Sequence, residues 1–494
     1  MEKSNICSWM VKKVNVYILF FKNIIYYIKV IFHFREEVLI MLMRFNVKNY
    51  RSFKNLTEFT TFPGNVRSKK YHLLNRETVP ILKFDAIYGA NAAGKSNLIK
   101  AIKDSRNIIL KGTENFNNNQ YFKLDAKFKN EYSEFEYEIQ IKDKFYAYGF
   151  RINIYSKEFI AEWLYELRKD KEICIFSRDV TKESFEKRYF KDPINNLRFK
   201  IYELDYKFKT ENLLLTEINR TFEKKSWNYE TKVFKDVYLW FQDTLDVSMS
   251  HSNKNLNLDV IFDENNAVIE ILKAFGIGIT DYNFIDADDK FSKAAKEKYI
   301  PKEIIEDIGR NLKENFNKGE NVSAIVCMNK ELYRFTQIDE ETIKIETIVF
   351  KHSFNKLVDF YLDEESDGTI RIIELIKILL INEEKVFIID EIDRSLHPNL
   401  TYKFIELFLN LERKNNVQLI VTTHEDRVLD LEMLRRDEIW FAEKDEDGST
   451  ELFRLENFGP RFDKDILKAY LDGRFGAIPN LKDISINNFN NFTK

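Results

Sequence analysis

The feature that most constrains the fold is an eight-residue loop that begins at Gly89. It reads Gly89-Ala-Asn-Ala-Ala-Gly-Lys-Ser96 and fits the phosphate-binding pattern G-x-x-x-x-G-K-[ST]. The segment Leu82–Tyr88 before it predicts a short strand, and a helical repeat follows from Lys95 to Ile109. In that context the glycines let successive backbone N–H groups point at phosphate oxygens, and the helix N-terminus adds partial positive charge. The sequence therefore predicts a P-loop within an α/β sheet.

The loop supplies most of the candidate ligands for a nucleoside triphosphate. Lys95 would bring a positive charge to the terminal phosphates, and the Ser96 hydroxyl would be a ligand of Mg²⁺. The loop alone does not select the base. The predicted nucleotide-binding residues are Gly89, Ala90, Asn91, Ala92, Ala93, Gly94, Lys95, Ser96 and Asn97.

A P-loop needs a second carboxylate for its metal, at the end of a buried strand. Val386-Phe-Ile-Ile-Asp-Glu391 runs four apolar residues into two acids. Asp390 would hold Mg²⁺ through its water shell, together with Ser96. Glu391 would face the attacking water as a general base, a role worth about 10² to 10⁴ in rate. Two acids at a strand end are alone more typical of a solvated loop, but the earlier P-loop favours the catalytic interpretation.

Two short segments flank this acid pair and indicate the class of P-loop protein. Ser366 and Gly368 lie just before a predicted helix, Ser366 being 24 residues ahead of Asp390. They resemble the ABC signature, whose serine, glycine amide and helix N-terminus grip the γ-phosphate held by a second subunit. The run from Ile392 to His397 follows the acid pair where such proteins have their D-loop.

A histidine completes the predicted catalytic set. His424 follows the buried strand Val417–Thr422 and lies 34 residues after Asp390, at the place of a switch histidine that senses the γ-phosphate. A lone histidine there is more often an ordinary surface residue, and its position after two threonines favours the switch role. The predicted catalytic residues are therefore Glu391, His424 and Lys95.

The order of strand and helix patterns predicts the domain organisation. Alternating runs over 133–168 indicate an antiparallel hairpin or meander, and the strand–helix alternation that returns at Ile343 indicates a mostly parallel sheet. The predicted fold is α/β, and the resemblance to the ABC signature implies an ABC-type P-loop NTPase head with an antiparallel β lobe, a mostly parallel core sheet and an inserted helical lobe. The predicted divisions are an N-terminal extension (1–40), an N-terminal ATPase half (41–170), an inserted mainly helical lobe (171–345) and a C-terminal ATPase half (346–494).

The N-terminal segment allows two interpretations. Val14–Phe34 is strongly apolar and aromatic, but Lys22 and Lys29 interrupt it. A membrane span needs about 20 mostly uncharged residues, so we interpret 1–40 as an extension upstream of the folded domain. A membrane-associating helix is the alternative.

Composition narrows the classes of partner. Lys and Arg (77) nearly balance Asp and Glu (80), so no overall basic charge favours nucleic acid. The three cysteines, Cys7, Cys174 and Cys327, have no paired spacing. This pattern excludes a disulfide framework and a thiolate zinc site, and it predicts a cytoplasmic protein.

Several of these motifs together resemble one known group of proteins. The chain is similar to the ABC-type AAA ATPases of bacterial phage-defence loci, including the RloA and AbiLii abortive-infection ATPases and the PARIS ATPase. OLD nucleases and Rad50 or SMC heads are more distant. The resemblance rests on the P-loop with its Asn-Ala-Ala filling and on the runs Phe45–Phe53, Glu365–Thr369, Ile389–Pro398 and Tyr470–Pro479.

The resemblance implies ATP and Mg²⁺ as ligands and composite ATP sites in a homodimer or higher homo-oligomer. It also implies a role in antiviral defence, in which a phage-encoded trigger is one possible signal. Only 70 residues follow His424, too few for the Toprim nuclease of OLD enzymes. The resemblance therefore implies a separate effector protein, such as a Toprim-, RloB- or HNH-type nuclease.

Other functions remain open on the sequence. A RecF- or Rad50-like DNA-repair clamp would share every motif, although the middle of the chain lacks the sustained heptads of a long arm. Between Thr181 and Lys235 there are 13 Lys and Arg against 9 Asp and Glu, which fits a solvated helical face better than a nucleic-acid surface. A transporter subunit and a switch GTPase are weaker alternatives.

Four further residues are weaker candidates, and two of them, His352 and His397, match positions that recur in the resembled group. Gln120 is a candidate for the glutamine loop, and a bare polar turn explains it as well. Arg51 either approaches nucleotide or is a surface strand residue. His352 and His397 are interpreted as structural.

Overall fold

The computed structural model describes most of the chain. The described residues are 16–21, 24–29, 40–74, 79–221, 228–249, 265–287, 305–306, 308–310, 312–313, 323–328, 331–339, 342–353, 356–413, 415–459 and 466–472. The chain forms two compact units. The larger unit comprises 38–250, 382–393 and 405–494, and the smaller unit comprises 1–37, 251–381 and 394–404.

Strands outnumber helices among the described residues. The strands are β1 (Val16–Phe21), β2 (Ile24–Lys29), β3 (Ile40–Lys48), β4 (Thr57–Thr60), β5 (Leu73–Leu74), β6 (Ile81–Leu82), β7 (Phe84–Tyr88), β8 (Ser133–Ile141), β9 (Lys144–Asn153), β10 (Glu158–Arg168), β11 (Lys171–Asp179), β12 (Ser184–Lys187), β13 (Leu245–Ser248), β14 (Ile279–Asp286), β15 (Ser323–Met328), β16 (Glu331–Gln337), β17 (Ile343–Ser353), β18 (Leu357–Tyr361), β19 (Lys385–Ile389), β20 (Val417–Thr422), β21 (Ile439–Lys444) and β22 (Thr450–Arg454). The helices are α1 (Lys95–Lys111), α2 (Pro193–Tyr206), α3 (Leu214–Thr221), α4 (Lys232–Leu239), α5 (Asn265–Ala274), α6 (Asp367–Leu380), α7 (Pro398–Asn410) and α8 (Ile466–Leu471).

Before residue 40 the structure describes one antiparallel hairpin, β1 paired with β2. These residues therefore form strands and not the membrane-associating helix considered as an alternative. The remaining residues of the predicted N-terminal extension lie outside the described residues. Within the part of the chain that is described, no helix combines the length and the apolar character needed to cross a bilayer.

The β lobe of the larger unit is a seven-stranded antiparallel sheet. Its order is β12-β11-β10-β9-β8-β3-β4, and sequential strands are neighbours from β8 to β12. Alternating apolar residues face the core along β8, which shows the burial alternation expected for a sheet with one covered face. The predicted meander is confirmed, and its first turn lies at Lys142, whose φ of 59° is in the left-handed region.

The second sheet of the larger unit is mostly parallel and has the order β13-β19-β20-β7-β21-β22. The first five strands run parallel, and β22 returns antiparallel to β21. Strands β7 and β20 are buried along their whole length, which explains why their sequences are mostly apolar, apart from the buried polar residues Asp85, Gln418 and Thr422. Because parallel strands end at the same edge, the residues that follow β7, β19 and β20 meet there.

One hydrophobic core joins the β lobe, α1 and the segment 190–247. Leu98, Ile102 and Ile109 of α1 are buried in it, as the helical repeat predicted. Phe199 of α2 and Phe234 of α4 belong to the same core, and β13 adds an edge strand to the parallel sheet. The larger unit therefore includes residues that the sequence assigned to the inserted lobe.

The smaller unit contains an antiparallel sheet. Strands β14, β17, β16 and β15 are neighbours in that order, and β18 also pairs with β17. Helices α5 and α6 belong to this unit and contact each other. The predicted strand near Ile345 exists as part of β17, but it belongs to this sheet and not to the parallel one.

Two predictions about the middle of the chain therefore need correction. The boundary at residue 171 is displaced, because the aromatic side chains of 190–241 pack into the core of the larger unit. The lobe predicted as mainly helical over 171–345 contains the helices α2 to α5, but its described residues from 279 to 345 are dominated by strands. The apolar run of β17 resembles a buried parallel strand because its central residues are covered on both faces.

Candidate nucleotide-binding site

The P-loop turns sharply between β7 and α1 and requires glycine at both ends. Gly89 has a φ of 153°, and a Cβ there would lie 2.5 Å from the carbonyl oxygen of Ala442. Gly94 has a φ of 113°, and a Cβ there would lie 2.0 Å from Thr450 Oγ1. Ala92 also has a positive φ, 65°. This backbone curls the loop over the first turn of α1, the geometry that a phosphate-binding loop needs.

Lys95 is the buried cation of this loop. Its side chain is only 5% exposed, and its Nζ donates to the carbonyl oxygens of Gly89 (2.6 Å) and Ala90 (3.2 Å). Burial lowers the pKa of Lys95 to about 8, against the opposing effect of the carboxylates of Asp390 and Glu391. The ammonium group is therefore held inside the loop by backbone oxygens alone, and phosphate oxygens can replace these acceptors.

Ser96 and Asp390 are brought together from distant parts of the sequence. The Ser96 hydroxyl donates to Asp390 Oδ1 at 2.9 Å, and Thr422 Oγ1 donates to the same oxygen at 2.7 Å. Asp390 is only 1% exposed. The two predicted metal ligands thus lie side by side, and Thr422 fixes the orientation of the carboxylate.

Glu391 follows β19 in a strained backbone conformation. Its φ is 51°, in the left-handed region that non-glycine residues rarely adopt. The Glu391 N–H donates to Thr422 Oγ1 at 2.8 Å, and the Ile392 N–H donates to the Thr422 carbonyl at 3.1 Å. Thr422 therefore holds both Asp390 and the backbone turn at Glu391.

His424 is held next to the same strand end. Asp393 Oδ1 accepts from Thr423 Oγ1 (2.6 Å) and from the His424 N–H (3.3 Å). Partial desolvation lowers the pKa of the imidazole, and the charge of Lys95 lowers it further, while Asp393 and Glu391 oppose the shift. His424 is therefore neutral at neutral pH and lies within electrostatic range of the P-loop lysine.

One protein-family model matches most of the chain. Residues 86–207 and 189–430 match the family described as "AAA domain, putative AbiEii toxin, Type IV TA system". The chain belongs to this family. The matches span the P-loop, the acid pair and His424, and they confirm the predicted class of P-loop ATPase domain.

Three solved structures that are similar to this AAA family member are SMC heads. The SMC head bound to the C-winged helix domain of ScpA is 15% identical and has a TM-score of 0.41, with 84% of this chain and 97% of that chain covered. The SMC head domain from Thermotoga maritima is 12% identical (TM-score 0.34; 84% and 98% covered). The Pyrococcus furiosus SMC head domain with an extended coiled coil is 14% identical (TM-score 0.34; 88% and 100% covered). A search of curated proteins finds no match.

The AAA domain also uses residues around the loop that the sequence did not single out. Ser52 Oγ accepts from the Asn97 side chain and from Thr450 Oγ1, both at 2.8 Å, and Thr450 Oγ1 lies 2.8 Å from the Ala93 carbonyl. Asn97, predicted as a nucleotide ligand, therefore directs its side chain at Ser52. These contacts join positions between 45 and 398 residues apart, so no local pattern could have indicated them.

A tyrosine near the end of the described chain contacts the start of the loop. The Tyr470 hydroxyl hydrogen-bonds to the backbone of Gly89, and burial raises the pKa of Tyr470 to about 12. Its ring packs against Tyr88 and Phe441. The run Tyr470–Pro479 carried part of the resemblance. Its residues after 472 lie outside the described residues.

Within the smaller unit, Ser366 is the N-cap of α6. Its Oγ accepts from the Thr369 N–H at 3.0 Å, and the side chain is exposed. A Cβ at Gly368 would lie 2.9 Å from the carbonyl oxygen of Ser395, so glycine also has a packing reason at this position. The predicted signature residues thus form an exposed N-terminus of a 14-residue helix.

Four residues of secondary interest have local partners. The Gln120 carbonyl accepts from the Arg51 N–H at 2.6 Å, and Arg51 Nε donates to the Tyr50 hydroxyl at 3.1 Å. His352 Nε2 pairs with Glu365 at 2.6 Å, and His397 Nδ1 accepts from the N–H of residue 399 at 3.2 Å. These contacts favour the structural interpretation of both histidines, and they assign no nucleotide contact to Gln120 or Arg51.

Proposed function

We propose that the chain is a Mg²⁺-dependent ATP hydrolase of the ABC type whose complete sites form between two copies. The observation that carries the proposal is the contact of Ser96 with Asp390 at 2.9 Å, next to the strained turn of Glu391. A hydroxyl, a buried carboxylate, a second carboxylate and a buried ammonium group at one sheet edge are the groups that phosphoryl transfer to water requires.

The residues at this edge fit Mg²⁺. In proteins Mg²⁺ binds through one or two carboxylates and substrate phosphates, and it keeps several waters. Ser96 and Asp390 offer one hydroxyl and one carboxylate, and the described residues contain no cluster of three or more His, Cys, Asp or Glu that could hold a metal without help. Bound there, Mg²⁺ would neutralise charge on the phosphate oxygens.

Each side chain then has a distinct role with ATP. The Lys95 ammonium exchanges the carbonyls of Gly89 and Ala90 for phosphate oxygens. Glu391 accepts a proton from the attacking water, and its backbone turn is fixed by Thr422. Neutral His424 offers an N–H to the γ-phosphate and adds no repulsion to Lys95, because its pKa is lowered.

A second copy would complete the site. Ser366 and the first backbone N–H groups of α6 form an exposed helix N-terminus, which favours anions. In the proposed dimer, one copy holds the γ-phosphate in its P-loop. Ser366 of the partner subunit and the backbone amide of the partner's Gly368 would contact this phosphate and stabilise the charge that develops there. ATP would then hold two copies together until hydrolysis releases them.

The biological role that we propose is the control of a separate toxic effector, such as a nuclease, in antiviral defence. The description of the family, with its AbiEii toxin and Type IV TA system, supports this role. ATP-dependent assembly would restrain the effector, and a signal from infection would change the assembly.

The decisive test is the Glu391→Gln variant. We expect its turnover to fall by about 10² or more, since the general base is lost while the shape is retained. With ATP and Mg²⁺ it should accumulate in larger assemblies than it forms without nucleotide, as measured by analytical ultracentrifugation. Glu432→Gln, at an exposed position of the same unit, is the matched control and should behave as wild type. Wild-type turnover by Glu391→Gln would remove the catalytic assignment.

A further inference from the structure

Helix α2 presents a row of aliphatic side chains to solvent. Ile194, Leu197, Ile201 and Leu204 are 67%, 65%, 53% and 67% exposed, and Phe208 just beyond the helix is 57% exposed. Single exposed apolar residues are common on protein surfaces, but a continuous row along one helix face indicates an interaction site. We call these four residues of α2 the aliphatic stripe.

The opposite face of α2 is firmly anchored in the larger unit. Phe199 is buried and stacks on Phe190, with 4.4 Å between ring centroids. The buried Arg178 guanidinium donates to the Tyr206 carbonyl at the last residue of the helix (3.2 Å), and the Asp192 side chain caps its start by accepting from the Ile194 N–H (2.9 Å). The helix thus presents the aliphatic stripe as a fixed surface.

The spacing of the stripe fits a helix–helix seam. Its members follow one another at intervals of three, four and three residues, the a and d positions of a heptad repeat. The buried residues Asn195, Phe199 and Tyr206 then occupy the b and f positions, on the outer side of such a seam. Two copies could therefore join through their stripes with their folded bodies on opposite sides.

We propose that the aliphatic stripe pairs with the same stripe of a second copy of this chain, with the two α2 helices parallel. Charges beside the stripe support this occupant. Parallel pairing brings Lys200, at a g position, to Asp205 of the partner subunit, at an e position, and the two-fold axis repeats this pair. Antiparallel pairing would also offer Arg198 an Asp205 partner, but it would bring two Lys200 ammonium groups together.

This contact does not depend on ATP and lies in the larger unit alone. It differs from the proposed ATP-dependent closure, which uses Ser366 of the smaller unit. Two different two-fold contacts in one chain build assemblies larger than a dimer. The chain would thus form stripe-linked pairs that ATP joins further, so Lys95→Ala should keep the stripe contact and lose only the ATP-dependent one.

The first test is a double substitution in the stripe, Ile201→Glu with Leu204→Glu, in the full chain without nucleotide. We expect the dissociation constant of self-association, measured by analytical ultracentrifugation, to rise by at least about 10-fold, which corresponds to about 1.4 kcal/mol. Leu357→Glu is the control, because Leu357 is equally exposed but lies in the smaller unit. Circular dichroism checks the fold. Self-association equal to that of wild type would overturn the proposal.

Cross-linking tests the orientation. In a parallel pair every stripe residue faces its own counterpart, so Leu197→Cys and Leu204→Cys should each form a covalent dimer with a short bis-maleimide. Glu203→Cys, at an outer c position, should not, and wild type reports any background from half-buried Cys174. Failure of both stripe variants to cross-link would overturn the parallel pairing of two copies.

A charge exchange completes the test. Lys200→Glu should weaken self-association severalfold, since it places two acids together in a parallel pair, and adding Asp205→Lys should restore it. In an antiparallel pair Lys200→Glu would not create this conflict with Asp205. A gain in self-association by Lys200→Glu alone would contradict the parallel arrangement.

Discussion

The P-loop edge of the larger unit and the Ser366 segment of the smaller unit carry the two parts of the proposed ATP site, and they are built differently. At the P-loop edge, Lys95, Asp390 and Thr422 are buried: Asp390 and Thr422 lie at the ends of parallel strands, and Lys95 begins the helix that follows the P-loop. Ser366 is exposed, and the hydrogen bonds seen at its hydroxyl lie within its own helical turn. One part is organised by long-range packing, and the other by a single helix cap.

The difference predicts that the P-loop edge and the Ser366 segment contribute to different steps. Buried, oriented groups lose little freedom when a ligand binds, so the P-loop edge should bind ATP in a single copy. An exposed helix N-terminus becomes effective toward phosphate only when water is displaced from it, which requires a second surface. Mutations in the two regions should therefore separate ATP binding from ATP hydrolysis.

Lys95→Ala should have the largest effect, on binding. Loss of the buried cation that faces the phosphates is expected to weaken ATP binding by about 10² to 10³-fold, since breaking a buried charge pair costs about 2 to 5 kcal/mol. Isothermal titration calorimetry with ATP and Mg²⁺ measures it. Lys100→Ala, one turn along α1, is the control. If Lys95→Ala binds ATP with a dissociation constant within a factor of three of the wild-type value, Lys95 does not contribute to phosphate binding as proposed.

Ser366→Ala should leave ATP binding by a single copy unchanged and lower turnover by about 10², the typical effect of removing one donor from a developing oxyanion. The substitution also removes a helix cap, worth about 1 kcal/mol, so a second variant is needed. Ser366→Asp keeps a good cap but places a carboxylate where the γ-phosphate would lie. If Ser366→Asp retains wild-type turnover, the segment acts only as a cap and the proposed contact in trans is wrong.

The sequence predicted the P-loop edge well because its geometry is encoded locally. Four apolar residues before Asp390 predict a buried strand, and the glycines at 89 and 94 predict the turn that their φ values confirm. The side chains that support the site were not predictable in this way. Ser52, Thr450 and Tyr470 reach the loop only through tertiary packing, and serine, threonine and tyrosine carry no periodic signal that would indicate it.

The smaller unit was predicted less well for a related reason. Its charged, glycine-poor sequence suggested helices, yet β14, β16 and β17 pair as an antiparallel sheet. In β16, five of the seven residues are buried, and residues 331–333 are buried in succession, so burial is not confined to one face. Strands covered on both sides lose the two-residue alternation that sequence patterns detect, and only their pairing partners distinguish them from helices.

Thr422→Val should have an intermediate effect that falls only on the P-loop edge. The hydroxyl donates to Asp390 and accepts from the Glu391 N–H, so its loss should lower turnover by about 10- to 100-fold, as for other groups that orient a metal ligand. A buried N–H without a partner should also cost about 1 to 3 kcal/mol in the free energy of unfolding. Thr422→Ser, measured by steady-state kinetics and urea unfolding, should recover most of both losses. If Thr422→Ser, which keeps the hydroxyl, lost as much as Thr422→Val, the hydrogen bonds of the hydroxyl would not be the cause.

The smallest predicted effect is the pH dependence of ATP binding. It should depend on the P-loop edge and not on the Ser366 segment. Burial lowers the pKa of Lys95 to about 8 in the free protein, while ATP binding requires the ammonium form. ATP binding therefore takes up a proton above pH 8, and affinity is lost as pH rises through this value: between pH 7 and pH 9 the dissociation constant should increase by about 10-fold. The lowered pKa of His424 keeps that residue neutral throughout this window.

Because Ser366 does not titrate here, Ser366→Ala should show the same pH dependence as wild type. Lys95→Arg, which stays charged, should show almost none, and a steep dependence in Lys95→Arg would move the titrating group away from Lys95.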